Sequence, residues 1–279
     1  MAKVVLLPEL NNKELTARIT LEPAVVQKDL LYSFIEERTT NRKPYRIVPL
    51  RHEHRAALLA TSKELQKGDV RFVEETSAVK ELAKIFTLNE RLVLENFYMH
   101  QSLFPHILWN KKEDGEKKLG LYLKTLELPF PGRMMFRFLK HWQVAKIVSK
   151  LGMPKMVMAQ NQKLYSASSA IGLISIDSNS QENFLCAGRL MQRVWLKATK
   201  MGMSIQPVAG LLYLGQRILS GDQQYFTAEQ INFIEDGYMR LAKIFDVNPE
   251  TMMMTFRIGY DEQPSARAQK VPPQYIENL

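Results

Sequence analysis

Ala170-Ile171-Gly172-Leu173-Ile174-Ser175-Ile176 is an apolar run of strand length, which predicts a central strand buried on both faces. Beyond it the period changes. Phe184, Ala187, Met191, Val194, Ala198 and Met201 recur at three- and four-residue intervals, the spacing of one helix face. Ser180 is placed to cap that helix, Glu182 lies in its first turn, and Gly202 supplies the stop. Thr227-Ala228-Glu229-Gln230 reads as a capping box opening a helix to about Phe245, and Met252 to Gly259 reads as a late strand. Earlier, residues 52–67 predict a helix ending before Gly68, Val70 to Val73 a short strand, and residues 77–108 a largely helical stretch divisible in two. Leu119, Leu121 and Leu123 fall on one alternation, predicting an extended segment to Leu128 that Pro129 and Pro131 close. Residues 133–150 again predict helix, ending at Gly152. Helices dominate and the strands lie far apart in sequence, the pattern of an α+β fold.

The composition refines this picture without changing it. With 46% hydrophobic and 24% charged residues over 279 positions, the chain can bury a sizeable core. No repeat or flexible linker divides it, so one domain is expected. No apolar stretch reaches about 18 residues, so neither a membrane span nor a membrane partner is expected. The N-terminal run through Pro8 lacks a small-residue cleavage site and does not read as a signal peptide. The single cysteine, Cys186, excludes an internal disulfide and fits a reducing, cytoplasmic setting; its helical position makes it a small buried hydrophobe.

A net charge of +9 favours anionic partners: nucleic acid, acidic lipid or a phosphate-bearing cofactor. The cations are spread over much of the chain and no nucleic-acid-binding motif is present, so nucleic acid is not expected. The densest tract, Lys111 to Lys118, is of mixed sign around Gly115 and reads as an exposed turn. Arg38-Thr39-Thr40-Asn41-Arg42-Lys43-Pro44 is different. It packs three cations and two hydroxyls onto a turn, a set that suits phosphate: guanidinium groups pair bidentately with its oxygens, and hydroxyls take the remainder. His52 and His54 flank Glu53 but point apart on a helix, between Arg51 and Arg55, so no metal site is expected. His100 and His106 lie in an aromatic stretch with Phe97, Tyr98, Phe104 and Trp109, open to reading as a lid or as ordinary packing. HExxH, GxSxG and Walker-type motifs are absent, and no catalytic side chain stands out.

Three segments in order resemble the nitroreductase-like, FMN-dependent oxidoreductases. They are Arg38 to Arg42, Ala187 through Met203, and Phe256 to Tyr260 followed by Pro264 through Pro272. The basic turn is similar to the family's Arg-x-Ser/Thr-x-Arg phosphate motif. The segment from Ala187 resembles its long central helix, and the segment from Phe256 resembles its last strand and basic C-terminal element. Residues of about 90–160 form an insert that compact members lack, and residues 1–28 an N-terminal extension. Both point to an enlarged branch, similar to nitroreductase domains found with ThiF-type adenylating proteins.

The resemblance implies an α+β sandwich with an antiparallel or mixed central sheet flanked by helices, and a homodimer binding FMN at the subunit interface. It implies ping-pong hydride transfer from NAD(P)H through flavin N5 to a small-molecule electron acceptor, such as a nitroaromatic or quinone. The alternative is a flavin-binding protein with little reductase activity, serving sequestration or an accessory role. Residue by residue, Arg38, Thr39, Thr40 and Arg42 would hold the phosphate, joined by Lys270 or Arg267. The loop Gln206-Pro207-Val208-Ala209-Gly210 would run along the ring and offer a backbone amide to N5; many members carry an acid where this chain has Ala209. Asn161 and Tyr165 would lie near the ring.

Overall fold

The computed structural model describes residues 2–270 other than 10, 11, 13, 14, 26, 27 and 179, so Val271 and Pro272 of the C-terminal motif lie outside the described residues. β1 (Ala2–Leu6) and β2 (Ala17–Leu21) form an antiparallel hairpin with mostly exposed side chains. The short α1 (Phe34–Glu37) leads into Arg38 and the basic turn. α2 (His52–Leu65) follows, then a tight reversal at Gly68, whose φ of +73° favours glycine, and β3 (Asp69–Val73).

The helical stretch expected over 77–108 breaks into three: α3 (Thr76–Phe86), α4 (Leu88–Glu95) and α5 (Phe97–Leu103). Two polar residues make the breaks. Thr87 Oγ1 donates back to the Lys84 carbonyl, and the Asn96 side chain accepts from the Met99 N–H, so each offers the backbone a partner outside the helix ladder. The segment expected to be extended from Leu119 to Leu128 is barely so. β4 (Ile107–Leu108) leads through α6 (Lys111–Lys117), a capped helix where a turn was expected, to β5 (Leu121–Tyr122), its parallel partner. Leu123–Leu126 then closes into a 3-10 turn, with Thr125 Oγ1 donating to the Tyr122 carbonyl. The helix predicted over 133–150 divides at His141, which has extended ψ, into α7 (Phe130–Leu139) and α8 (Trp142–Lys150). Gly152, at φ +90°, turns the chain into α9 (Met153–Ser166).

The remainder follows the pattern read from the sequence. β6 (Ala170–Ser175) is buried throughout. α10 (Gln181–Lys200) is capped by Ser180, and β7 (Ser204–Pro207) and α11 (Gly210–Leu219) come next. α12 (Ala228–Phe245) opens on the Thr227–Gln230 capping box, and β8 (Met252–Gly259) completes the order. The central sheet is four-stranded and antiparallel, in the order β3-β6-β8-β7. Thr40 and Arg46 add single bridges to Ile205 and Tyr260, so the basic turn is laid along the sheet.

Helices cover both faces of the sheet. On one, α3, α11 and α12 bury Leu82, Phe86, Leu211, Ile234 and Leu241 against Ile171 and Leu173. On the other, α2 and α10 bury Leu58, Leu190 and Val194 against Ile174, Phe256 and Ile258. Each such side chain, removed from water, contributes roughly 1.5–3 kcal/mol. Gly172 lies under Phe256, where an added Cβ would come within 2.2 Å of the ring. Val93, Leu94, Phe104, Leu139 and Ala145 form a third, smaller core within the insert, so that segment holds its own shape beside the sheet.

Candidate functional site

A cavity of about 650 Å³ lies between the β7 end of the sheet, α3–α4 and the insert, within the range of sites that enclose a cofactor or drug-sized molecule. Gln206, Pro207, Val208, Ala209 and Gly210 line it on the sheet side, and Phe86, Asn89, Glu90 and Val93 on the side of α3 and α4. Phe104, Leu126, Pro129, Met135, Phe136, Met153 and Val157 supply an apolar roof, while Asn161 and Tyr165 enter from α9.

The loop at the sheet end follows from its residues. Pro207 has no N–H and ends β7; the Val208 N–H donates to the Thr255 carbonyl and Thr255 Oγ1 returns to the Val208 carbonyl. Ala209 occupies the N-cap position of α11 without a side chain able to cap, so the N–H groups of that helix's first turn gain no side-chain partner there. The helix therefore presents its positive end beside the cavity. Gly210 is packed on Asn89, whose Oδ1 would stand 2.5 Å from an added Cβ.

Two charged side chains reach the cavity. Glu90 accepts a 2.6 Å hydrogen bond from the Tyr165 hydroxyl, and its Oε2 is buried without a partner. Burial pushes its carboxyl up to about 7, against the opposing pull of the Tyr165 hydrogen bond. Burial and the nearby Glu90 raise the Tyr165 hydroxyl well above its ordinary range. Arg42 donates from Nη1 to the Thr125 carbonyl at 3.2 Å, tying the basic turn to the insert. Burial lowers its guanidinium, which Tyr165 and Tyr45 oppose.

Behind the cavity stands Arg257, fully buried. Its Nε donates to Gln206 Oε1 at 2.7 Å, Nη1 to the Leu164 carbonyl at 3.1 Å, and Nη2 to the Lys43 carbonyl at 2.6 Å. Its guanidinium lies 4.0 Å from the centre of the Tyr45 ring. One side chain thus joins β7, the end of α9 and the basic turn. With its oxygen occupied, the Gln206 carboxamide is left to donate from its NH₂ end.

The residues expected to grip a phosphate divide into two groups. Arg42 faces the cavity with Gln206 to Gly210. Arg38 instead lies over the Trp195 ring at 4.4 Å, and its Nε is buried without a partner. Lys270 donates to the Ile35 carbonyl and pairs with Glu36 at 3.6 Å; its charge is disfavoured by burial and by Arg38 and Arg267 nearby. Arg267 donates to Gln263 Oε1 at 3.1 Å. Arg38, Arg267 and Lys270 therefore form a cation cluster beside α1, outside the residues that line the cavity. Thr39 is half-buried, and Thr40, bridged to Ile205, spans the interval between cluster and cavity.

His54 bonds the Tyr260 hydroxyl at 3.1 Å. His100 is buried, bonds the Leu139 carbonyl at 2.8 Å and stacks on Phe104 at 4.3 Å, pinning α7 to α5. His100 is thus packed, and Phe104 is packed on it and lines the cavity. Sequence reasoning passed over Glu90 and Arg257. Phe86, Glu90, Val93 and Leu94 fall at helical spacing, so an acid interrupting an apolar stripe was a readable signal. An arginine inside the buried strand Met252–Gly259 was another.

No family model matches the chain. Among curated proteins it is similar to an uncharacterized protein of Mycobacterium tuberculosis, 22% identical over 240 residues, covering 84% of this chain and 32% of that protein. The chain thus spans about a third of the length of that relative. Among solved structures it is similar to a nitroreductase-like family protein from Bacillus cereus (TM-score 0.44, 11% identity, 91% of this chain and 100% of the other). Iodotyrosine deiodinase bound to FMN and 3-iodo-L-tyrosine gives a TM-score of 0.49 at 10% identity over 90% of this chain and 100% of that one. An FMN-dependent nitroreductase from Clostridium difficile gives 0.46 at 12% identity, again over 90% and 100%. Nitroreductase-like proteins recur among these matches.

Proposed function

We propose that this chain is an FMN-dependent NAD(P)H oxidoreductase of nitroreductase type, reducing a small electrophile such as a nitroaromatic or quinone. The observation that carries the reading is the convergence on one cavity of Arg42, the Gln206–Gly210 loop, Asn161 and Tyr165, residues far apart in sequence. The residues fit FMN on three counts. The buried, unpartnered Arg38 Nε, beside Arg267 and Lys270, offers cationic donors for a phosphate. The uncapped start of α11 offers N–H groups toward the polar edge of a ring. The walls made by Phe86, Pro207, Val208 and Phe136 suit the ring's apolar faces.

When bound, FMN supplies the hydride-carrying chemistry. In this reading Arg38, Thr39, Thr40 and Lys270 or Arg267 hold the phosphate, and the turn to Arg42 carries the chain from phosphate to ring. Pro207 and Val208 would line an apolar face of the ring, and the Ala209–Gly210 backbone would offer N–H groups to its polar edge. The apolar roof would exclude water from the ring, and a reductant or acceptor would have to enter this same cavity. The working form is a homodimer, as the resemblance implies.

A second reading, a flavin-binding protein with little reductase activity, is favoured by the roof of Met135, Phe136 and Met153 and by the absence of an acidic side chain at Ala209. The visible spectrum after incubation with FMN tests both: a preparation that stays colourless sinks them together. Anaerobic mixing with NADPH then separates them. Rapid bleaching of the flavin supports the reductase, and persistent colour supports the second reading.

A further inference from the structure

Between Glu127 and Asp177 the chain carries seven Lys and Arg residues and not one carboxylate, so this stretch accounts for seven of the nine net positive charges. Cations are spread along the whole sequence; what is uneven is the distribution of acids. Among the described residues none of the seven forms an ion pair. The stretch contains α7, α8 and α9, which expose large apolar side chains among these cations. Phe130, Met134 and Phe138 follow at four-residue intervals along α7, and the two phenylalanines are 69% and 58% exposed. Ile147 and Leu151 repeat the interval at α8, 60% and 80% exposed. A cation stands directly before an exposed apolar residue five times: Arg133-Met134, Arg137-Phe138, Lys146-Ile147, Lys150-Leu151 and Lys155-Met156.

We propose that α7, α8 and the start of α9 form a docking surface for an anionic lipid bilayer, lying in its interface, and that the cavity opens within that surface. Basic residues interleaved with large apolar ones on outward-facing helices are the chemistry that an anionic interface recognises. Cations meet headgroups, apolar side chains enter the acyl boundary, and lysine stems reach back to the charge. No helix among the described residues is long and apolar enough to cross a membrane, so the contact is with the surface. A symmetric pairing of two copies through this face would bring like charges together, which disfavours self-association here. Met135 and Met156 are both exposed and part of the cavity wall, so the cavity mouth lies among the docking residues. A ligand dissolved in the lipid would then reach the cavity without crossing water.

Sedimentation of the full chain with vesicles tests this, using phosphatidylcholine alone and phosphatidylcholine mixed with phosphatidylglycerol. Binding to the mixed vesicles, little binding to phosphatidylcholine, and weakening by salt are expected. Lys146→Ala and Lys150→Ala should each reduce binding roughly fivefold. Ile147→Ser with Leu151→Ser should remove it even at low salt. All four positions are exposed and lie outside the cavity, and a thermal melt of each variant checks that it folds. The proposal is overturned by absence of binding to the mixed vesicles, or by binding that none of the folded variants alters. It is equally overturned if the same substitutions instead dissociate a dimer or release bound nucleic acid, with no effect on vesicles.

Discussion

Glu90 sits one turn from Phe86 and from Leu94, all three lining the cavity, and desolvation holds its carboxyl at about 7 against an ordinary 4.5. Because the folded state binds this proton more tightly than the unfolded chain, its contribution to stability is complete below about 4.5 and is lost as pH rises through about 7. The shift corresponds to about 3 kcal/mol across that window. Glu90→Gln keeps the shape and removes the titration. Urea midpoints at about pH 5 and about pH 8 should therefore fall for the natural chain and stay level for the variant. Parallel slopes would mean the carboxyl is solvated. A further residue-scale expectation concerns the phosphate. Arg38→Ala should weaken FMN retention by about 1.5–3 kcal/mol, read by fluorescence titration, through loss of a charge-assisted contact. If Arg38→Ala is silent while Arg42→Ala is not, the phosphate lies on the cavity side of the turn.

At the scale of elements, β6 and β8 are fitted to each other through Gly172, which leaves room for the Phe256 ring. Gly172→Ala overpacks that contact and should lower the denaturant midpoint by an amount equivalent to about 1–3 kcal/mol. A neutral result would show that Phe256 can rotate aside. The elements legible in the sequence are those whose signals are local: the apolar run of β6, the Ser180 cap and stripe of α10, and the Thr227–Gln230 box of α12. Less legible were elements whose form is decided by contacts from elsewhere. Asn96 breaks a helix while bonding Tyr225 and Gln230, residues far along the chain. Of the leucines from Leu121 to Leu128, Leu121 pairs only in the two-residue ladder with Ile107, and Leu121, Leu126 and Leu128 line the cavity. The site divides the same way. The Arg38–Arg42 turn and the 206–210 loop carry recognisable local motifs. Glu90 becomes a cavity group only when α4 meets α9, and Arg257 gains its partners from three separate segments.

For the whole molecule, a ligand held by both the sheet end and the insert should stabilise the folded chain as a unit. With FMN at about 100 times its dissociation constant, the expected gain is about 2.7 kcal/mol, a rise in melting temperature of several degrees. Scanning calorimetry with and without FMN reads it directly, and an unmoved melting temperature would count against a flavin site in the folded chain. The sheet order carries a different consequence. β6 and β7 are not paired with each other; both pair with β8, which lies between them. Every residue that lines the cavity precedes β8 in the chain, yet β7 and its loop have no strand to lie against until β8 arrives. A ribosome that has translated as far as α12 has therefore made the entire wall of the cavity without the piece that closes it. The pocket is complete only once the last strand pairs with both neighbours and Arg257 gathers its partners from β7, α9 and the basic turn.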